Sequence, residues 1–237
     1  MISLLVSNAL VAAGVLAAPT IFLAGDSTMT AKGNNDGTAG WGLFLNNYTT
    51  LAIENDAVAG RSARSFTREG RFTTMAANVK SGDFVVIEFG HNDGGTLSST
   101  SDNGRTDCSP LTYLSGVVET VQTYYTYLVN AAKLFQAKGA NVIISSATPN
   151  NVWETGTFTY SSSRFVTYAS DAAKAVGATF ADHGLYTAQL YKNAGATTVS
   201  SYYPHDHTHT SPEGAKVVAR AFTLAVKATD SSLKDYM

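Results

Sequence analysis

Five short apolar runs, at 20–24, 52–58, 83–89, 141–146 and 178–181, recur along the chain, and none shows strict apolar/polar alternation. Strands covered on both faces read this way, so the pattern predicts a parallel sheet with helices packed on either side. Between the third and fourth runs, Val118, Val121, Tyr125, Leu128, Ala132 and Phe135 recur at helical spacing and Gly139 follows as a stop, which predicts a crossover helix. Near the end, Thr210 and Glu213 stand at capping-box spacing ahead of the apolar stripe Ala215, Val218, Ala219 and Phe222. A last helix is expected there, with His209 just before its N-terminus. Strand-like and helix-like segments alternate with no repeat and no biased linker, so residues 18–237 read as one α/β domain.

Ligands of open α/β sheets bind beyond the carboxyl ends of the strands. At the first such end stands Gly25-Asp26-Ser27, where Gly25 permits a sharp turn, Asp26 can bond the turn's own backbone, and Ser27 is displayed above the sheet. A serine hydroxyl is a weak nucleophile and needs an imidazole to take its proton and a carboxylate to orient that imidazole. Asp206-His207-Thr208-His209 supplies both, with Asp206 and His209 the preferred pair and His207 a neighbour at the rim. Gly60, after the second run, can aim a backbone amide at a developing oxyanion, and Asn92, in the Gly90-His91-Asn92-Asp93 turn after the third, can add its side-chain amide. An alternative reading of His205, His207 and His209 is a zinc site, although spacing fixes no third ligand. Cys108 stands in a polar loop with no histidine beside it, which makes it a poor nucleophile.

Composition narrows the partners. With 237 residues, 44% hydrophobic and 14% charged, the chain can bury a substantial core. A net charge of -2 offers no basic field for nucleic acid. Residues 1–17 carry no charged side chain and end at Val15-Leu16-Ala17, so they are expected to be a signal peptide cleaved after Ala17 and to direct secretion. The run is short for a membrane span. One cysteine excludes an intramolecular disulfide, so the core alone must hold the exported protein. Asn47-Tyr48-Thr49 is the glycosylation sequon. Arg61, Arg64, Arg68 and Arg71 are candidates for carboxylates of a substrate, with surface solvation the plainer role, while Trp41, Trp153, Tyr202 and Tyr203 are weighed as sugar platforms against core burial, which is favoured for most.

Taken in order, Gly25-Asp26-Ser27, Gly60, Gly90-His91-Asn92-Asp93 and Asp206-x-x-His209 resemble the blocks of the GDSL, or SGNH, hydrolases. Residues 55–65, Thr148-Pro149-Asn150-Asn151 and 206–212 are similar to the rhamnogalacturonan acetylesterase branch of that family. The resemblance implies a flavodoxin-like three-layer α/β/α fold and removal of acetyl groups from pectic rhamnogalacturonan without metal or organic cofactor. It also implies Ser27 as nucleophile, His209 as base, Asp206 as its orienting acid, and Ser27, Gly60 and Asn92 as the oxyanion hole. The expected partner is an acetylated pectic polysaccharide, with neither nucleic acid nor membrane, and the expected state is a monomer. Rival readings are a GDSL esterase for another acylated carbohydrate or a lipid, and a carbohydrate-binding protein without turnover.

Overall fold

A computed structural model of the chain describes residues 18–30, 36–97, 109–112 and 118–237; the expected signal peptide, 1–17, and Cys108 lie outside the described residues. The strands β1 (Thr20–Gly25), β2 (Ala52–Asn55) and β3 (Phe84–Glu88) are followed by an antiparallel pair, β4 (Ser109–Thr112) and β5 (Val118–Val121), then by β6 (Asn141–Ser145) and β7 (Thr179–Ala181). Around them run α1 (Ala63–Arg68), α2 (Arg71–Asn78), α3 (Tyr124–Gln136), α4 (Arg164–Val176), α5 (His183–Ala194), α6 (Ala196–Ser200) and α7 (Pro212–Lys227), with 3-10 helices at Trp41–Asn47 and Ser232–Tyr236. The main sheet has the order β2-β1-β3-β6-β7, parallel throughout. All five of its strands coincide with the apolar runs of the sequence.

Period-two geometry explains why those runs are apolar throughout. Phe22 and Ala24 of β1, Val85 and Ile87 of β3, and Val142 and Ile144 of β6 enter one core with α1, α2, α3 and α4. Their neighbours Ile21, Leu23, Phe84, Val86 and Ile143 enter a second core with α5, α6, α7 and both 3-10 helices. Each central strand therefore buries both faces, which is the three-layer α/β/α arrangement. The chain leaves β1 toward β2 on one side and toward β3 on the other, so a crevice opens between β1 and β3 at their carboxyl ends.

One polar residue interrupts this pattern. Glu88, at the end of β3, is 2% exposed and collects donors from three elements: Trp41 Nε1 at 3.0 Å and Ser145 Oγ at 2.6 Å, with His183 Nδ1 at 2.7 Å. His183 Nε2 donates to the Val218 carbonyl in α7 at 2.9 Å, and since a carbonyl only accepts, that nitrogen carries a proton. The rings of Trp41, His183 and Phe222 pack around the pair and exclude water.

Two sequence expectations shift. Val118 and Val121 belong to β5 rather than to the crossover helix, and α3 begins only at Tyr124, because Thr123 accepts the Thr126 amide as N-cap. Val118 and Tyr125 are exposed, and the buried stripe is Tyr124, Tyr127, Leu128, Ala131, Ala132 and Phe135. The last helix is capped one residue later than the capping-box spacing indicates: Ser211 accepts the Gly214 amide, Pro212 takes the first helical position, and Thr210 Oγ1 donates instead to the Ala39 carbonyl. The stripe Ala215, Val218, Ala219 and Phe222 is buried as expected.

Removing Glu88 leaves a buried imidazole and two buried donors without their acceptor. Glu88→Ala is expected to lower unfolding free energy by about 3–5 kcal/mol. Urea unfolding checks this, and an unchanged midpoint would show that the network is not a stability element.

Candidate active site

Ser27 is the first residue past Asp26 in a tight turn closed from below. The Asp26 carbonyl accepts the Met29 and Thr30 amides, and its Oδ1 accepts the Thr28 amide at 3.0 Å and hydroxyl at 2.8 Å. Burial pushes the Asp26 carboxyl up, the charge of His91 and the Thr28 hydrogen bonds pull it back in part, and Glu88 adds to the rise. Gly25 serves the turn differently from the expectation. It is a strand residue, and a Cβ there would meet Met29 Sδ at 2.7 Å and the Glu88 carbonyl at 2.9 Å, so the position is glycine for close approach rather than for the turn itself.

The other half of the site comes from the loop before α7. Asp206 Oδ1 accepts the amides of Thr208 and His209, both at 2.7 Å, which folds the loop around its own carboxylate. Asp206 Oδ2 lies 2.7 Å from His209 Nδ1, and His209 Nε2 lies 2.9 Å from Ser27 Oγ. Partial burial raises the Asp206 carboxyl, but the hydrogen bonds from the His209 ring and amide and the Thr208 amide, with the His209 charge, outweigh it and bring the carboxyl down to about 2. The Ser27 and His209 loops are stitched together directly, Ala39 and Thr210 exchanging hydrogen bonds while the Trp41 amide donates to the Thr28 carbonyl at 2.8 Å.

Gly60 and Asn92 stand at the carboxyl ends of β2 and β3, on the same edge of the sheet as Ser27. Gly60 has φ of 76°, a left-handed conformation that a side chain would strain. Asn92 Nδ2 donates to the Arg61 carbonyl at 3.2 Å, tying its turn to the Gly60 loop, and an amide nitrogen with two hydrogens retains capacity for another acceptor. The Asp93 carboxylate accepts the Ala63 amide at the start of α1. Ser62 and Ser65 complete a reciprocal capping box in the same loop.

Other sequence candidates are drawn elsewhere. The three alternating histidines take three different partners: His205 faces the Asp36 carbonyl, His207 pairs with Glu154 Oε1 at 2.9 Å, and His209 pairs with Asp206. All four arginines are engaged by the protein's own carboxylates. Arg61 and Arg71 bond Glu69, while Arg64 and Arg68 reach Glu119. Arg64 is fully buried, which contradicts surface solvation for that residue. Trp41 is core, whereas Trp153, Tyr202 and Tyr203 are half-buried against the second core. His183 went unnoticed in the sequence, although an acidic residue inside an otherwise apolar run, Phe84-Val85-Val86-Ile87-Glu88-Phe89, signals a buried partner.

The model of GDSL-like lipases and acylhydrolases matches residues 21–222. The chain belongs to the GDSL lipase/acylhydrolase family. This makes it a carboxylic ester hydrolase, and its sequence falls in the rhamnogalacturonan acetylesterase branch. It is 53% identical over 226 residues to a rhamnogalacturonan acetylesterase of Emericella nidulans, covering 93% of this chain and 89% of that protein. A probable rhamnogalacturonan acetylesterase of Bacillus subtilis is 26% identical, with 87% and 92% covered. Among solved structures, the Bacillus subtilis protein YxiM superposes with a TM-score of 0.72 at 22% identity, covering 90% of this chain and 57% of that one, a likeness of fold. The GDSL family's three-layer fold is thus the one described above.

The depressed Asp206 carboxyl fixes the sign of its pH dependence. A group held below its ordinary value of 3.8 contributes its full stabilisation above that value and loses it as pH falls through about 2. An NMR titration of the Asp206 carboxyl carbon is expected to show its midpoint near the lower figure. A midpoint at the ordinary value would mean that the loop does not hold its carboxylate in solution.

Proposed function

We propose that the chain is a secreted rhamnogalacturonan acetylesterase that works as a monomer through a Ser27–His209–Asp206 acyl-enzyme mechanism. The observation that carries this reading is the unbroken chain of contacts from Ser27 Oγ to His209 Nε2 and from His209 Nδ1 to Asp206 Oδ2. The 53% identity to the Emericella nidulans enzyme supports the substrate, and the uncharged residues 1–17 support export.

In the first step His209 Nε2 takes the Ser27 proton as Oγ attacks the acetyl carbonyl, and Asp206 holds the ring in the tautomer that leaves Nε2 able to accept. The negative charge on the former carbonyl oxygen is taken up by the Ser27 and Gly60 amides and the Asn92 side chain. Collapse breaks the bond to the sugar oxygen, and His209 returns its proton to that leaving group. A sugar alkoxide is a far stronger base than imidazole, so this protonation matters as much as the attack. Water then repeats the sequence on acetyl-Ser27 and releases acetate.

Acetate release from a panel of acetylated pectins, xylans and mannans tests the substrate. Rhamnogalacturonan should be preferred, and preference for a xylan or mannan would move the assignment to another acylated carbohydrate. Ser27→Ala should stay folded and lose turnover, since a turn hydroxyl contributes little burial. Asp206→Asn should lower kcat/KM across the whole pH range, because the ring loses the partner that orients it. Wild-type acetate release by Ser27→Ala would end the serine mechanism. Asn92→Ala should lower kcat by about a hundredfold to a thousandfold with little change in KM, the signature of a group acting on the transition state. A rise in KM alone would make Asn92 a substrate contact.

A further inference from the structure

A cavity of about 390 Å3 adjoins the site, bounded by residues 147–152 after β6 and by residues 159–166 leading into α4. Its volume falls in the range of about 300–1,000 Å3 common to small-ligand sites. Gly90 and His91 form the wall nearest the catalytic crevice; His91 Nε2 is 3.3 Å from Thr148 Oγ1, and the His91 charge acts on Asp26 beside Ser27. The cavity is also joined to the catalytic loop: Thr208 Oγ1 donates to Asn150 Oδ1 at 2.9 Å, and the Asn151 amide donates to the His207 carbonyl at 2.7 Å. It is lined by all of Thr148-Pro149-Asn150-Asn151, the segment of the sequence that the acyl-transfer mechanism leaves without a role.

The lining chemistry is that of a polyol site. Hydroxyls of Thr148 and Ser161 and the amide of Asn150 stand beside the apolar surfaces of Pro149 and Phe165, and His91 is the one basic side chain among the described residues of the lining. Tyr160, also in the wall, is pushed up to about 12 by burial and by the Asp182 charge, so its phenol stays protonated and neutral. The guanidinium of Arg164 stands 5.2 Å from the Phe165 ring centroid, engaged with that ring and outside the lining.

Resting on the acetylesterase reading, we infer that this cavity is a subsite for a neutral sugar ring of the substrate chain, next to the acetylated residue. Its neutral donors and acceptors bind ring hydroxyls, and its link to the Asp206–His209 loop sets the register of the bound chain relative to Ser27.

The test fills the cavity and leaves the chemistry alone. Ser163 is exposed and makes no capping hydrogen bond at the start of α4, so Ser163→Trp narrows the cavity without removing a structural contact. On acetylated rhamnogalacturonan oligosaccharides its kcat/KM should fall roughly tenfold or more through KM, while Ser163→Ala stays near the parent. On 4-nitrophenyl acetate, which is too small to reach the cavity, Ser163→Trp should match the parent. Equal loss on both substrates, or loss on neither, overturns the subsite. The Ser163→Trp penalty should persist on the same oligosaccharides after their carboxyl groups are reduced to alcohols. A penalty that disappears on reduction would mean that the cavity reads a carboxylate, which overturns the neutral-sugar assignment. If the parent releases no acetate from rhamnogalacturonan, the substrate assignment fails by itself, and the same comparison on the acetylated oligosaccharide that the panel identifies decides the subsite.

Discussion

A single buried carboxylate at the end of the central strand holds the elements of the site in register. Glu88 bonds the 3-10 helix that follows the Ser27 turn through Trp41, the neighbouring strand through Ser145, and α5 through His183, which reaches on to α7 through Val218. These are the elements that flank the Ser27 turn on one side and the His209 loop on the other. Moving any one of them would leave a buried donor unmet, at roughly 1–3 kcal/mol each. The apolar cores supply most of the burial, but apolar contacts are non-directional and would tolerate a sliding helix. The directional bonds to Glu88 do not.

The Asp206–His209 loop is built on the opposite principle. Asp206 is exposed enough to be solvated, and its carboxylate is held by amides two and three residues downstream rather than by the core. A loop organised around its own carboxylate needs little from the rest of the protein except a fixed start and finish. Ala39 and Tyr202 supply these, through bonds to Thr210 and Ser211. Rigidity below and local self-organisation above together give a serine and a histidine, 182 residues apart in sequence, a 2.9 Å contact.

Much of this was legible in the chain because the relevant signals are local. Both-face burial makes parallel strands apolar throughout, so all five were visible, and the Asp-x-x-His spacing of the loop is itself the geometry that folds it. Where the reading slipped, a long-range partner decided. Val118 and Val121 fit a helical stripe, but β4 lies antiparallel to them and takes their backbone bonds, and helix spacing cannot distinguish the two. The Ser211 cap prevailed because Pro212 is suited to the first helical position and Thr210 was needed by Ala39. The fate of the arginines depended on Glu69 and Glu119, the second of them 55 positions from Arg64, and no spacing rule connects those.

Those arginines bear on how a polyuronate could be recognised. Each guanidinium already faces a carboxylate of the protein, so a substrate carboxylate must either displace that partner, losing an existing charge-assisted bond, or remain in water. Arg64 has no exposed surface to offer. Four guanidiniums that are already neutralised gain little by attracting anions, in keeping with a net charge of -2. Discrimination between substrates then falls to shape and neutral hydrogen bonds near the scissile ester. There a misfit moves the acetyl carbonyl away from Ser27, so it is felt in turnover as well as in affinity.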